Sequence, residues 1–353
     1  MIISRTPFRI SFFGGGTDYP VWYREHQGAV LATTINKYCY ISCRYLPPFF
    51  KHRSRIVWSR IERVKTHEAI QHPAVRAGLE FLGISKGVEL HHDGDLPART
   101  GLGSSSAFTV GLLHALYGLK GIRVGKHQLA RQAIQIEQEI LQERVGCQDQ
   151  VMAAYGGLNR IDFAGGQDIQ VSPVPLNPER RRQFQDHLML CFTGIARTAS
   201  EIAKRQIELT RHRATQLRAM YQQVNEAIGI LQSPRDLCEF GALLHEAWQL
   251  KRSLTDQIST SNIDRIYERA RSAGAIGGKL LGAGGGGFML FFVRPEEQAN
   301  VKAALSRLLH VPFCFDTTGS QIIFYDPDSL EPYAEGDQAR ASSPRLSETA
   351  GVH

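Results

Sequence analysis

"LPARTGLGSSSAF", residues 96 to 108, sets two glycines and three consecutive serines in front of a long apolar run. Hydroxyls and bare backbone are a costly way to begin a buried helix unless something occupies the space they leave. A helix starting near Ser105 leaves its first N–H groups unpaired and carries about half a positive charge at that end, which favours a bound anion. Gly101 and Gly103 have no Cβ, so main-chain N–H groups can approach a polyphosphate, while Ser104, Ser105 and Ser106 offer hydroxyls that donate to its oxygens or ligate a metal. Capping of the helix accounts for one serine and leaves the rest of "GLGSSS" unexplained. A phosphate loop explains all of it.

The loop is neither of the two commonest kinds. A Walker A motif needs lysine after its last glycine, and Gly101 and Gly103 are followed by leucine and serine. "GAGGGG" at Gly282 to Gly287 fits the dinucleotide expression GxGxxG, but the apolar run "FMLFFV" follows it where that fingerprint requires a helix. Taken alone, this second loop reads as a tight backbone turn.

Around these loops the chain is an ordinary soluble one. Its 353 residues, 42% hydrophobic and 21% charged, suffice for two domains with cores of their own. The run Phe288 to Val293 is far too short to cross a bilayer, and "MIISRTPFRI" lacks the architecture of a signal peptide, so a cytoplasmic protein without membrane partners is expected. Cys39, Cys43, Cys147, Cys191, Cys238 and Cys314 form no CxxC pair, which argues for reduced thiols rather than zinc or disulfides. The net charge of +7 is not gathered into a basic arm. "RRR" at 180–182 and "RHR" at 211–213 lie in polar helical stretches, and no basic stripe is interleaved with aromatics, so no nucleic-acid partner is expected. A mild positive field suits small anions such as nucleotides and sugar phosphates.

Residues 3–13, 29–46 and 55–59 are rich in β-branched and aromatic residues and read as strands, as do 157–163, 188–194, 286–293 and 320–326. Helical periodicity covers 73–82, 105–119, 126–143, 199–231, 237–250 and 262–273. Strands and helices alternate without a regular βαβ cadence, which favours an α+β fold over a doubly wound sheet. Three prolines within 172–182 suggest a boundary, and the polar stretch from about 331 suggests a frayed tail. The division expected is 1–175, 183–328 and a tail 329–353.

Three segments, "TPFRISFFGGGTDYP", "LPARTGLGSSSAF" and "GGKLLGAGGGGFMLFF", resemble in order and spacing the three motifs of the GHMP kinase family, over roughly residues 1 to 328. The resemblance implies an N-terminal domain like the second domain of ribosomal protein S5, a ferredoxin-like C-terminal domain, and a site between them using ATP and Mg²⁺. Carried across position by position, Pro97, Thr100, Gly101, Leu102, Gly103, Ser104, Ser105 and Ser106 hold the nucleotide, and Ser105 and Glu137 hold the metal. Asp149, in "CQDQ", stands where relatives keep the catalytic base, and Arg9 where they keep the arginine of the first motif. Glu137 rests on the resemblance alone. Against the stripe Leu129, Ala133, Ile136 and Ile140, Glu137, Glu139 and Glu143 all fall on the flanks, where solvation is the simpler reading.

"FGGGTDYP", "ATTINKY" and "VGCQDQVMAAYGGLN" are similar to the members that phosphorylate the anomeric hydroxyl of D-glycero-D-manno-heptose 7-phosphate. Gly15, Gly16, Thr17, Asp18, Gly284 and Gly285 are then the substrate-binding positions. Galactokinase-like members carry Glu-His where this chain has Gly15 and Gly16, a departure that removes two polar contacts and makes room for a bulkier or phosphorylated sugar. The acceptor's own phosphate would need an arginine fork, for which Arg197 is the first choice and Arg24, Lys37 and Arg44 are further candidates. Another sugar-1-kinase, acting on fucose- or galactose-like substrates, and a non-catalytic nucleotide or sugar binder are the alternatives. The state of association, monomer or homodimer, is left open.

Overall fold

Alternating β-branched and aromatic residues take the chain at once into an antiparallel pair, Ile2–Phe13 beside the 18-residue strand Gly28–Tyr45. In this computed structural model residues 1–47, 49–165, 169–194 and 199–326 are described. The first eight residues of Gly28–Tyr45 are buried throughout, and its second half alternates, as befits a strand covered on both faces at one end and on one face at the other. The buried half pairs with Leu158–Phe163, the alternating half with Val88–Gly94. Among the described residues the sheet has nine strands, and its last member, Gln321–Tyr325, returns from the far end of the chain to pair with Ile2–Phe13.

A second, four-stranded antiparallel sheet runs in the order Leu309–His310, Leu188–Phe192, Phe288–Val293, Ala275–Leu280. Phe288–Val293 is buried at all six positions, which is why it reads as a continuous apolar run instead of an alternating one. Phe12 of the first sheet meets Phe184 and Phe240 at ring-centroid distances of 5.4 and 5.6 Å, so aromatic packing joins the two halves behind the cleft. This is the mixed, non-Rossmann α+β architecture expected, with the two glycine loops meeting through main chain between the two sheets.

The phosphate-loop helix spans Ser104–Leu119 and is buried along most of its length against the first sheet. Where one continuous helix is expected over 126–143, the chain forms Lys126–Gln135 and then a π-helical turn, Ile136–Ile140. Among the helices that escape the periodicity are Gln148–Tyr155 and Pro178–Asp186, whose Asn177 cap accepts from the Arg180 N–H at 2.7 Å inside the proline-rich stretch. Arg197 and the tail 329–353 lie outside the described residues. No helix among the described residues is long and apolar enough to cross a membrane.

Candidate active site

Gly101 and Gly103 adopt φ of +86° and +73°, a region closed to most side chains, and Gly103 caps the Ser104–Leu119 helix in that conformation. The loop is held from behind. Thr100 is buried with its hydroxyl on the Pro97 carbonyl at 2.7 Å, Leu102 is in the core, and Ser104 accepts from the Arg99 N–H at 3.0 Å. Across the cleft the second glycine loop meets it backbone to backbone. An ideal Cβ on Gly101 would lie 2.3 Å from the Leu281 carbonyl oxygen, one on Gly282 would lie 2.4 Å from Gly101 Cα, and Phe288 N–H donates to Thr100 O at 3.1 Å. Gly282 to Gly287 is therefore more than a tight turn. Gly282 and Gly287 are required by the partner loop, since a Cβ on Gly287 would lie 2.2 Å from the Thr100 carbonyl oxygen.

At the mouth of this loop stands Arg9, only 4% exposed. Its Nε and Nη2 donate to the two oxygens of Asp149 at 2.8 and 2.9 Å, and its Nη1 donates to Gly101 O at 2.6 Å. The bidentate fork fixes both partners. Asp149 sits in the first turn of Gln148–Tyr155, and an ideal Cβ on Gly103 would lie 3.3 Å from its Oδ2, so phosphate loop and carboxylate are in contact.

Asp18 lies beneath the pair, 2% exposed, accepting from Gly16 N–H at 2.9 Å and from the Gln148 side-chain amide at 3.1 Å. Burial, and after it the charge of Asp149, pushes its carboxyl above the usual carboxylate range, while the main-chain donors of Gly16 and Gln148 pull the other way. Gly146 makes this burial feasible, since an ideal Cβ there would lie 1.9 Å from Asp18 Oδ2. The buried oxygens Ser11 Oγ and Gln148 Oε1, beside Gly15, have no partner in the protein.

Several expected contacts take another form. Gly16 does not make room. Its φ is +111° and an ideal Cβ would lie 2.7 Å from the Gln206 amide nitrogen, so Gln206, from the helix Ala199–Leu209, already fills that space, and only Gly15 opens onto it. Thr17 is fully buried, with its hydroxyl 2.8 Å from Gly14 O and 2.9 Å from Ala29 O, so it shapes the loop. Gly284 and Gly285 lie against the Ile258 backbone, Gly285 N–H donating to Ile258 O at 2.9 Å. Arg44 is engaged by Glu89, Nε to Oε2 at 2.7 Å, and Glu89 also pairs with Arg55, which removes Arg44 as a phosphate fork. Arg24 is exposed and Lys37 half-buried.

Glu137 is 1% exposed in the π-helical turn. Its Oε2 accepts from the Ser106 hydroxyl at 2.9 Å and from the Gln150 amide, while Oε1 is buried without a partner. Ser106, not Ser105, is the serine on this carboxylate. Ser105 is exposed, one residue earlier and on the outer side of the helix start. Burial pushes Glu137 up to about 7, with Thr109, Gln150 and Ser106 pulling it back. Among the described residues no three His, Cys, Asp or Glu side chains gather as a metal cage. One carboxylate with an unused oxygen beside serine hydroxyls nevertheless fits a Mg²⁺ ion, which takes few protein ligands and completes its shell with phosphate oxygens and water.

Two buried lysines stand at the site, Lys279 within the segment that resembles the third motif and Lys251 outside all three. Lys279 donates to Phe12 O at 2.6 Å from Ala275–Leu280, and Lys251, on Cys238–Arg252, donates to Gly282 O.

A glycine-serine loop at a helix start, an arginine-held carboxylate beside it and a buried carboxylate hydrogen-bonded to Ser106 of that helix thus gather in one place. Residues 65–157 match the GHMP kinases N terminal domain and residues 227–311 the GHMP kinases C terminal domain. The chain belongs to the GHMP kinase family, and membership implies ATP as the phosphoryl donor. It is similar to the D-glycero-alpha-D-manno-heptose 7-phosphate kinase of Campylobacter jejuni, 28% identical over 87% of this chain and 93% of that protein. The galactokinase of Thermotoga maritima is 24% identical over 93% of this chain and 98% of its own. Among solved structures, a D-glycero-D-manno-heptose 1-phosphate kinase from Bacteroides thetaiotaomicron superposes with a TM-score of 0.76 at 23% identity, covering 92% of this chain and 99% of that one. At that identity it shows the shared fold.

Proposed function

We propose that the chain is a sugar kinase that transfers the γ-phosphoryl group of ATP to the anomeric hydroxyl of D-glycero-D-manno-heptose 7-phosphate, in the cytoplasm. The observation that carries the reaction type is the contact between Gly103, at the start of the phosphate-loop helix, and the Asp149 carboxylate that Arg9 holds in a two-point grip. It sets base and phosphates side by side. The heptose assignment is supported by the similarity to the Campylobacter jejuni enzyme and by Gly15, where a side chain would meet only Ser11 and Gln148 at 3.6 and 3.7 Å.

Phosphoryl transfer passes through a loose transition state, so alignment and charge stabilisation supply most of the catalysis. Each Asp149 oxygen keeps a lone pair beyond the one Arg9 uses, enough to accept the acceptor's O–H. The acceptor oxygen forms its bond to the γ-phosphorus as the bond from that phosphorus to the β,γ-bridging oxygen breaks, ADP leaves, and the hydroxyl proton passes to Asp149. Asp18, Gln148 and Ser11 orient the sugar. The Gly101–Ser106 loop binds the polyphosphate through main-chain N–H groups and hydroxyls. Glu137 and Ser106, with Ser105 near the same helix start, would hold Mg²⁺, which supplies charge neutralisation at the β- and γ-phosphates.

An ATP-consumption assay over hexoses, heptoses and their phosphates tests the substrate. Turnover of heptose 7-phosphate well above every unphosphorylated sugar is expected. Preference for galactose or fucose would refute the heptose assignment and leave the kinase class standing.

A further inference from the structure

The Arg9–Asp149 pair is nearly exhausted as a source of positive charge. Three of the five guanidinium donors of Arg9 are committed, two to Asp149 and one to Gly101 O. A transferring phosphoryl group carries charge on three outer oxygens and needs more than the remainder. A second cation is present on the opposite wall. Lys251 occupies the last turn of the helix Cys238–Arg252, is 6% exposed, and donates to Gly282 O in the second glycine loop, at the seam with Gly101.

The position of that ammonium is informative. Gly282 abuts Gly101, whose carbonyl receives Arg9, so the two cations are held by the carbonyls of adjoining residues on either side of one seam. The charges Lys251 experiences are those of the active site: Arg9, Asp18 and Asp149, with Lys279 also within its field. No ion pair among the described residues involves Lys251 or Lys279. A buried ammonium facing one carbonyl is expensive to maintain, and two of its three N–H donors are unspent. Burial, and then Arg9, pull Lys251 down to about 8, so it is still largely protonated at neutral pH.

We infer that Lys251 is a catalytic residue, its ammonium closing on the oxygens of the transferring phosphoryl group from the side opposite Arg9. This rests on the kinase reading. The alternative anion is the phosphate at C7 of the proposed acceptor, and the titrations below contain no acceptor, so a loss of analogue affinity on removing the ammonium reports on the nucleotide phosphates. Lys279 is less suited, because its ammonium is turned inward to Phe12 O.

The test uses the full chain with Lys251→Met and Lys251→Arg, and titrates ADP and the β,γ-imido analogue of ATP, each with Mg²⁺, by calorimetry. The wild type is expected to bind the analogue more tightly than ADP. Lys251→Met is expected to weaken the analogue roughly 10- to 100-fold while ADP binding and the melting temperature hold. Its kcat is expected to fall by about 10²- to 10³-fold. In the wild type, kcat declines as pH rises through about 8, as the ammonium deprotonates; Lys251→Arg keeps much of the analogue affinity and loses that alkaline limb.

Equal weakening of ADP and analogue with a lowered melting temperature would assign Lys251 to support of the Gly282 loop and overturn the inference. So would an unchanged kcat in Lys251→Met. Absence of nucleotide binding in the wild type would instead remove the kinase reading itself. A different preferred sugar would leave this result intact, because neither titration contains an acceptor.

Discussion

Two carboxylate centres, the half-buried Asp149 and the buried Glu137, flank the phosphate loop twelve residues apart in sequence, and they are finished to different degrees. At Asp149 both oxygens are gripped by one guanidinium and the geometry is set before any ligand arrives. At Glu137 one oxygen is held by Ser106 and Gln150, the other is bare, and burial favours the protonated form to about pH 7. The contrast separates preorganisation from incompleteness. It suits the roles proposed above, since a base is best aimed in advance, whereas a metal ligand can wait protonated until a cation displaces its proton.

The largest effect expected is on the finished centre. Asp149→Asn should lower kcat by about 10³-fold while nucleotide binding, measured by calorimetry, survives. An undiminished kcat would remove Asp149 as base. On the unfinished centre, Glu137→Gln should cut kcat/KM for Mg-ATP by about 10²-fold and raise the Mg²⁺ concentration needed for half-activation. If the two variants behave alike in a Mg²⁺ titration, the distinction between the centres fails.

Acidity gives a third comparison. Because the folded form binds the Glu137 proton more tightly than the unfolded chain does, its contribution to stability is intact below the unfolded value near ~4.5 and is lost as pH rises through about 7, at most on the order of 3 kcal/mol. Thermal melts without metal should show this decline. Glu137→Gln should flatten it, and added Mg-ATP should stabilise the wild type more at pH 8 than at pH 6. The smallest effect concerns Asp18. Gly146→Ala drives a methyl into its carboxylate and should destabilise by roughly 1–3 kcal/mol while raising KM for the sugar more than KM for ATP.

What the sequence made legible follows the reach of local rules. The phosphate loop was readable because glycine and serine at a helix start have a local meaning, and the structure puts left-handed backbone at Gly101 and Gly103. Glu137 was invisible to helical phase because the chain turns π-helical from Ile136 to Ile140, so a 3.6-residue period places the side chain on the wrong flank. The Gln148–Tyr155 helix is too short and too weakly amphipathic to announce itself, so only resemblance pointed to Asp149. Ser106 on Glu137, Gln206 beside Gly16, and Lys251 on Gly282 depend on which elements meet in space, which no local pattern encodes.

The seam between the two glycine loops also bears on recombining these enzymes. Since Gly101, Gly282 and Gly287 interlock through main chain, with Phe288 N–H on Thr100 O, no side chain is available there to adapt to a foreign partner. Chimaeras that exchange the second half of the molecule between relatives should therefore keep both loops from the same parent, with the remaining boundary free to be redesigned.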